Sequence, residues 1–197
     1  MDTTTRTGKI AALTLTLAAA ATLGLQAHPA APAREPVRIF GADAAQERTI
    51  DWAVQRFGAA GLQDLPELDI YLHTSHDGCR GNLGYYKAGR IDLCTKASSE
   101  PYARKFALHE MAHSWVEANM DAETRERFLG LQGLGNWNDL NEPWKERGTE
   151  QAAEVIAWGL GEGEVSPLLP EPPSTADMVA AYVLLTGQQP ITPAATA

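Results

Sequence analysis

The sequence predicts an α+β fold in which a small antiparallel or mixed sheet packs on a set of helices, and three observations carry that reading. First, residues 69–73 and 90–94 are short runs rich in Ile, Leu and Tyr, and turn formers such as Arg80-Gly81-Asn82 and Ala88-Gly89 lie between them. Second, Cys79 and Cys94 are the two cysteines of the chain and bracket the same region, so a bridge would staple a hairpin there. Third, residues 101–119 and 148–160 carry apolar side chains at helical spacing over lengths a strand does not reach.

From the N-terminus, Arg6 and Lys9 precede an apolar run over residues 10–25, which His28, Pro29 and Pro32 bring to a stop. This is the pattern of a secretory signal peptide, with cleavage after Ala27 or Ala33. The run of 16 residues falls short of the roughly 20 that a spanning helix needs, so no stable membrane insertion is expected after cleavage, with an uncleaved anchor as the alternative. The expected organisation is a signal peptide over 1–33, one domain over 34–186 and a loose tail over 187–197. The mature protein is then secreted, to the cell envelope or beyond.

Within the domain, residues 44–62 place Ile50, Trp52, Ala53, Val54 and Phe57 on an amphipathic helix. The strands follow, and a Cys79–Cys94 bridge across them contributes about 3 kcal/mol on the chain-entropy model. Residues 122–131 form another amphipathic helix, and 177–186 form a last one after the Pro-rich stretch 167–173. Between helices, residues 133–144 combine turn formers with two tryptophans, the composition of a connection or of a lid over a site.

Composition narrows the functional classes. A hydrophobic fraction of 44% suits a folded core. A formal net charge of −9 without a basic stripe argues against binding a phosphate backbone, so nucleic acid is not an expected partner.

The chemistry concentrates in His109-Glu110-Met111-Ala112-His113. On a helix, His109 and His113 stand one above the other, so both imidazoles can ligate one ion. Glu110, rotated by about 100°, points elsewhere and can act as a base towards water. Leu108, Met111, Ala112 and Trp115 mark the helix as buried, and buried histidines beside a carboxylate are costly without a metal or other partners. Catalytic zinc has three protein ligands as a rule, so another element must supply the third. Glu117 is about 12 Å along the axis from His109, too far to serve. Val116 and Asn119 occupy the places of the Gly and third His of the longer HExxHxxGxxH pattern, which closes that route.

A carboxylate is the better candidate. Glu150 and Glu154 are four residues apart in a helix that Ala152, Ala153, Val155, Ile156, Ala157 and Trp158 must bury, with Thr149 available to cap it. Two like charges on one buried face need something positive beside them. Ordinary surface charge is the plain alternative for this pair.

This combination over residues 106–160 resembles the gluzincins, a group of zincin-fold zinc peptidases in which HExxH is followed on a later helix by a Glu ligand and, four residues on, by an acid that orients a ligating His. The resemblance implies a zincin-like fold, Zn2+ as cofactor, and peptides or proteins as substrates. It implies His109, His113 and Glu150 as metal ligands, Glu110 as general base and Glu154 as the orienting acid. Many members have Asp where Glu154 stands, and the variant with Glu154 as ligand and Glu150 in support stays open. Bound zinc would lower the pKa of its water towards about 7 and polarise a carbonyl, leaving Glu110 to move the proton. Tyr85, Tyr86, Tyr102, Tyr182, His73 and His76 are candidates for stabilising the oxyanion, and the last two also have HxxH metal spacing. The alternative function is an exported zinc-containing binding or envelope-interaction protein with little or no catalysis.

Overall fold

In the strand Leu68–Leu72, buried Leu68, Ile70 and Leu72 alternate with half-exposed Asp69 and Tyr71, the period-2 pattern of a sheet covered on one face. This is β2 of a four-stranded sheet in a computed structural model that describes residues 37–94, 100–162 and 173–195. The described residues belong to one compact unit, Arg34–Ala197. The expected signal peptide and its cleavage sites fall outside the described residues, as do the Pro-rich stretch up to residue 172 and the last two residues.

The elements run β1 (Val37–Phe40), α1 (Ala44–Ala59), β2, a 3-10 turn (His76–Cys79), β3 (Gly84–Lys87) and β4 (Arg90–Leu93). Then come α2 (Glu100–Asn119), α3 (Ala122–Gln132), a 3-10 turn (Trp144–Glu146), α4 (Gly148–Leu160), α5 (Thr175–Thr186) and a 3-10 turn (Pro193–Ala195). The sheet is mixed, in the order β1-β2-β4-β3, with β1, β2 and β4 parallel and β3 antiparallel to β4 at the edge. The β3–β4 hairpin turns through Ala88 and Gly89, both at positive φ (46° and 80°), the geometry of a two-residue type I′ turn. Cys79 and Cys94 are bridged, both buried, and tie the turn before β3 to the residue after β4.

The sequence does not announce β1 and β3. Each is four residues long, and Gly84-Tyr85-Tyr86-Lys87 places a Gly and a Lys in its strand. Four residues are too short a run for a strand pattern to stand out from its surroundings.

Behind the sheet, Ile50, Phe57, Ile70, Ile91, Leu108, Met111, Phe128, Ile156 and Tyr182 belong to one core. Helix α2 packs on α1, on α4 and against β3 and β4. Helix α4 is buried on all sides from Gln151 to Leu160, with α2, α3 and α5 around it. Gly159 permits the α4–α5 contact, because a Cβ there would run into the Tyr182 ring. The expected Thr149 cap of α4 is not made: Arg147 occupies the N-cap, without a side-chain cap bond, and Thr149 lies inside the helix.

The stretch after α5, expected to be loose, packs back onto the core. The Ile191 N–H donates to the Gly159 carbonyl at 2.9 Å, and Thr192 is buried. Arg56 of α1 donates from Nε to Leu160 O and from Nη2 to Gly161 O and Ile191 O, at 2.5, 3.1 and 3.3 Å. One guanidinium thereby serves carbonyls that the end of α4 leaves without helical partners.

Candidate metal centre

The contact between α2 and α4 builds the site. The 3.6-residue turn of α2 aims His109 and His113 at the same face of α4, their rings edge-on at 4.8 Å between centroids. Helix α4 returns Glu150 and Glu154 from its own facing side. His113 Nε2 lies 3.1 Å from His109 Nε2 and 3.1 Å from Glu150 Oε2, and His109 Nε2 lies 3.4 Å from the same carboxylate oxygen. Among the described residues, His109, His113 and Glu150 form the group able to hold a metal ion.

Donor chemistry and spacing both fit a cation. Two imidazole nitrogens and a carboxylate oxygen converge with edges of 3.1 to 3.4 Å. A tetrahedral ion with arms of 2.0–2.1 Å requires edges of about 3.3–3.4 Å, so little movement is needed to close on it.

Behind the first imidazole, His109 Nδ1 lies 3.1 Å from Glu154 Oε2. An ionised carboxylate only accepts, so this contact puts a proton on Nδ1, and Nε2 is the ring nitrogen turned towards Glu150 and His113. Glu154 therefore orients a histidine, while Glu150 stands with the ring nitrogens. Lys105, one turn before His109 on α2, places Nζ 3.1 Å from Glu154 Oε1. On His113, Nδ1 faces Thr149 Oγ1 at 3.4 Å, which gives Thr149 a place in the site instead of a capping role.

Glu110 is 6% exposed. Burial pushes its carboxyl above the usual range, with His109 and His113 pulling the other way and Glu150 and Glu154 adding to the rise. Its neighbour is the first residue of β3: a Cβ on Gly84 would stand 2.7 Å from Glu110 Cγ and 2.8 Å from Cδ. With no ion bound, burial lowers His109, but the hydrogen bonds to Glu150 and Glu154 prevail and raise it to about 10. Burial raises Glu150, and the bonds to His109 and His113 overcome that and hold it at about 2.

Two aromatic rings flank the imidazoles. Trp144, 37% exposed in the 3-10 turn ahead of α4, lies 5.7 Å from the His109 ring, tilted by 32°. Tyr86 on β3 lies nearly parallel to His113 at 6.1 Å, and its hydroxyl donates to Glu117 on α2. Arg147 fixes the loop under Trp144 through Nε and Nη2 bonds of 3.0 and 2.8 Å to Glu142 O.

The six oxyanion candidates separate clearly. Tyr86 adjoins the imidazoles. Tyr182 is wholly buried in the core, where burial pushes its hydroxyl up to about 12. Tyr102 is 58% exposed, Tyr85 lies under Arg80, and His76 is exposed in the turn before β3. His73 Nε2 faces Asp92 Oδ1 at 2.6 Å.

Sequence reasoning passed over Lys105 and Gly84 as parts of this site, and it met Trp144 only within the connection-or-lid stretch 133–144. Lys105 had a readable signal, since Lys105, His109 and His113 fall on one stripe of α2 at successive steps of four. Gly84 had none, because only tertiary packing brings it to Glu110. No protein-family model, curated protein or solved structure matches this chain.

Proposed function

We propose that this chain is a secreted, zinc-dependent peptidase of gluzincin type that hydrolyses peptide bonds with Glu110 as general base. The observation that carries the reading is the convergence of His109, His113 and Glu150 on one point, with Glu154 holding His109 from behind and Glu110 buried beside them. His109, His113 and Glu150 would hold the ion, which supplies a Lewis acid for the carbonyl and acidifies water.

The remaining steps belong to the chain. Glu110, its proton affinity raised by burial, accepts a proton from the attacking water and delivers it to the departing amine. Glu154 keeps the proton of His109 on Nδ1, so that Nε2 stays a ligand. A peptide substrate is favoured by β3: among the described residues it has no strand on its outer side, it begins at Gly84 against Glu110, and it carries Tyr86 against His113. An extended chain that adds to this edge would run past the base. The buried disulfide and the signal-like N-terminus support an oxidising compartment.

The test is the Glu110→Gln variant, assayed on a mixed peptide library with zinc measured per chain. Zinc should be retained while kcat/KM falls by about 10²- to 10⁴-fold, the range that a general base contributes. Cleavage by the variant at the wild-type rate would refute the role of Glu110. Zinc bound by both proteins with cleavage by neither would favour a binding protein.

A further inference from the structure

Lys105 is absent from the donor set, yet the structure ties it to the site through one carboxylate. Its Nζ meets Glu154 Oε1 at 3.1 Å, and the other oxygen of the same carboxylate meets His109 Nδ1 at 3.1 Å. Glu154 is 4% exposed and the Lys105 side chain 21% exposed, so the pair lies at the inner end of a long side chain whose stem comes from the turn before His109. We infer that Lys105 is a positioning residue for the metal centre, acting through Glu154 to fix the His109 ring and supplying the third positive charge that the carboxylates of Glu110, Glu150 and Glu154 require. This rests on the metal-binding reading of His109, His113 and Glu150.

Two physical arguments support it. The first is orientation. A carboxylate with one oxygen on a histidine can still swing about its last torsion, and that swing rotates the imidazole with it. An ammonium on the second oxygen removes the freedom, so Nε2 is aimed before an ion arrives, and ordering that would otherwise oppose binding has already occurred. The second is charge. Glu110, Glu150 and Glu154 bring three negative charges into a site where Glu110 and Glu154 are nearly inaccessible to water. A divalent ion offsets two, and uncompensated buried charge is strongly unfavourable. Lys105 offsets the third from the turn of α2 ahead of the ligands, on the far oxygen of Glu154.

The experiment measures zinc(II) affinity by competition with a chromophoric chelator for wild type, Lys105→Met, Lys105→Arg, Glu154→Gln and the Lys105→Met/Glu154→Gln double variant, each checked for folding by circular dichroism. Loss of a partner that orients a ligand weakens metal binding by about 10- to 100-fold, and Lys105→Met should fall in that range. Lys105→Arg should recover most of the loss, because a cation again faces Oε1. In the Glu154→Gln background the Met substitution should add less than about twofold, since Lys105 then has no carboxylate to act through. The inference is overturned if wild type binds zinc tightly and Lys105→Met binds it equally well, or if the Met substitution costs as much in the Glu154→Gln background as in wild type. Absence of zinc binding by folded wild type would instead overturn the metal reading beneath it. A Lys105→Met protein that does not fold leaves Lys105→Arg to decide: an Arg variant that folds like wild type yet has lost zinc affinity in full would also count against the inference.

Discussion

At the residue scale, absence of a side chain does as much as presence. Gly84 touches the flank of Glu110, where a methyl group would lie 2.7 Å from Cγ, closer than real Cβ contacts come. Glu110 is buried, so it must yield by rotating its carboxylate. Gly84→Ala is expected to leave zinc content unchanged and lower kcat/KM by about 10²-fold, the cost of displacing a catalytic group by about 1 Å. Equal activity in the two proteins would show that the base does not need this cradle. Asp92 illustrates a different balance. Burial alone would raise its pKa, but hydrogen bonds from Arg90 and His73 outweigh burial and hold it below its ordinary value. A carboxyl depressed on folding stabilises the native state above its unfolded pKa of about 3.9, and the contribution disappears as pH falls through the native value. The stability of wild type over Asp92→Asn should therefore be present at pH 6 and shrink below about pH 4. Urea titrations at the two pH values check this, and a gap that widened in acid would reverse the sign.

Among the elements, α2 and α4 are legible from sequence because their residues answer to one helical period: burial, ligand spacing and the Glu150–Glu154 pair all repeat at three or four. Strand β3 is not legible, although it contributes Gly84 and Tyr86 to the site. Its position depends on the hairpin turn at Ala88-Gly89 and on the Cys79–Cys94 bridge, which encloses it in a loop of sequence separation 15. The cysteines could be read as a pair; what they hold against Glu110 could not. Replacing both by Ala should lower unfolding free energy by about 3 kcal/mol on the chain-entropy model. Because the freed segment is the one that faces the imidazoles, the same variant should lose activity under conditions where circular dichroism still reports it folded. Loss of both in step, at the global transition alone, would place β3 within the same cooperative unit as the helices and remove its separate control of the base.

For the whole molecule, the candidate metal centre lies in the contact between helices α2 and α4, so an ion bound there would couple binding to folding. The donors come from α2 and α4, and no single element assembles them; an unfolded chain has no such arrangement to offer. The long-range part of the site was open to sequence reasoning only as a choice between Glu150 and Glu154, because both lie on one helical face and nothing local says which meets the ring nitrogens. Packing separates them: Glu150 Oε2 sits near both Nε2 atoms, and Glu154 sits behind His109 at Nδ1. An ion that binds only the native state stabilises it by RT ln(1 + [L]/Kd), about 2.7 kcal/mol at a free concentration 100 times Kd. Zinc should thus raise the unfolding temperature of wild type, a chelator should reverse the rise, and hydrogen exchange should slow along the facing turns of α2 and α4. In Glu150→Ala the donor set falls to two imidazoles, and the zinc-dependent rise should all but vanish. Glu142→Ala, an exposed carboxylate of the connection, should keep it in full. If zinc raised the unfolding temperature of Glu150→Ala as much as that of wild type, the stabilising ion would be bound elsewhere, and the convergence on α2 and α4 would be a hydrogen-bonded core.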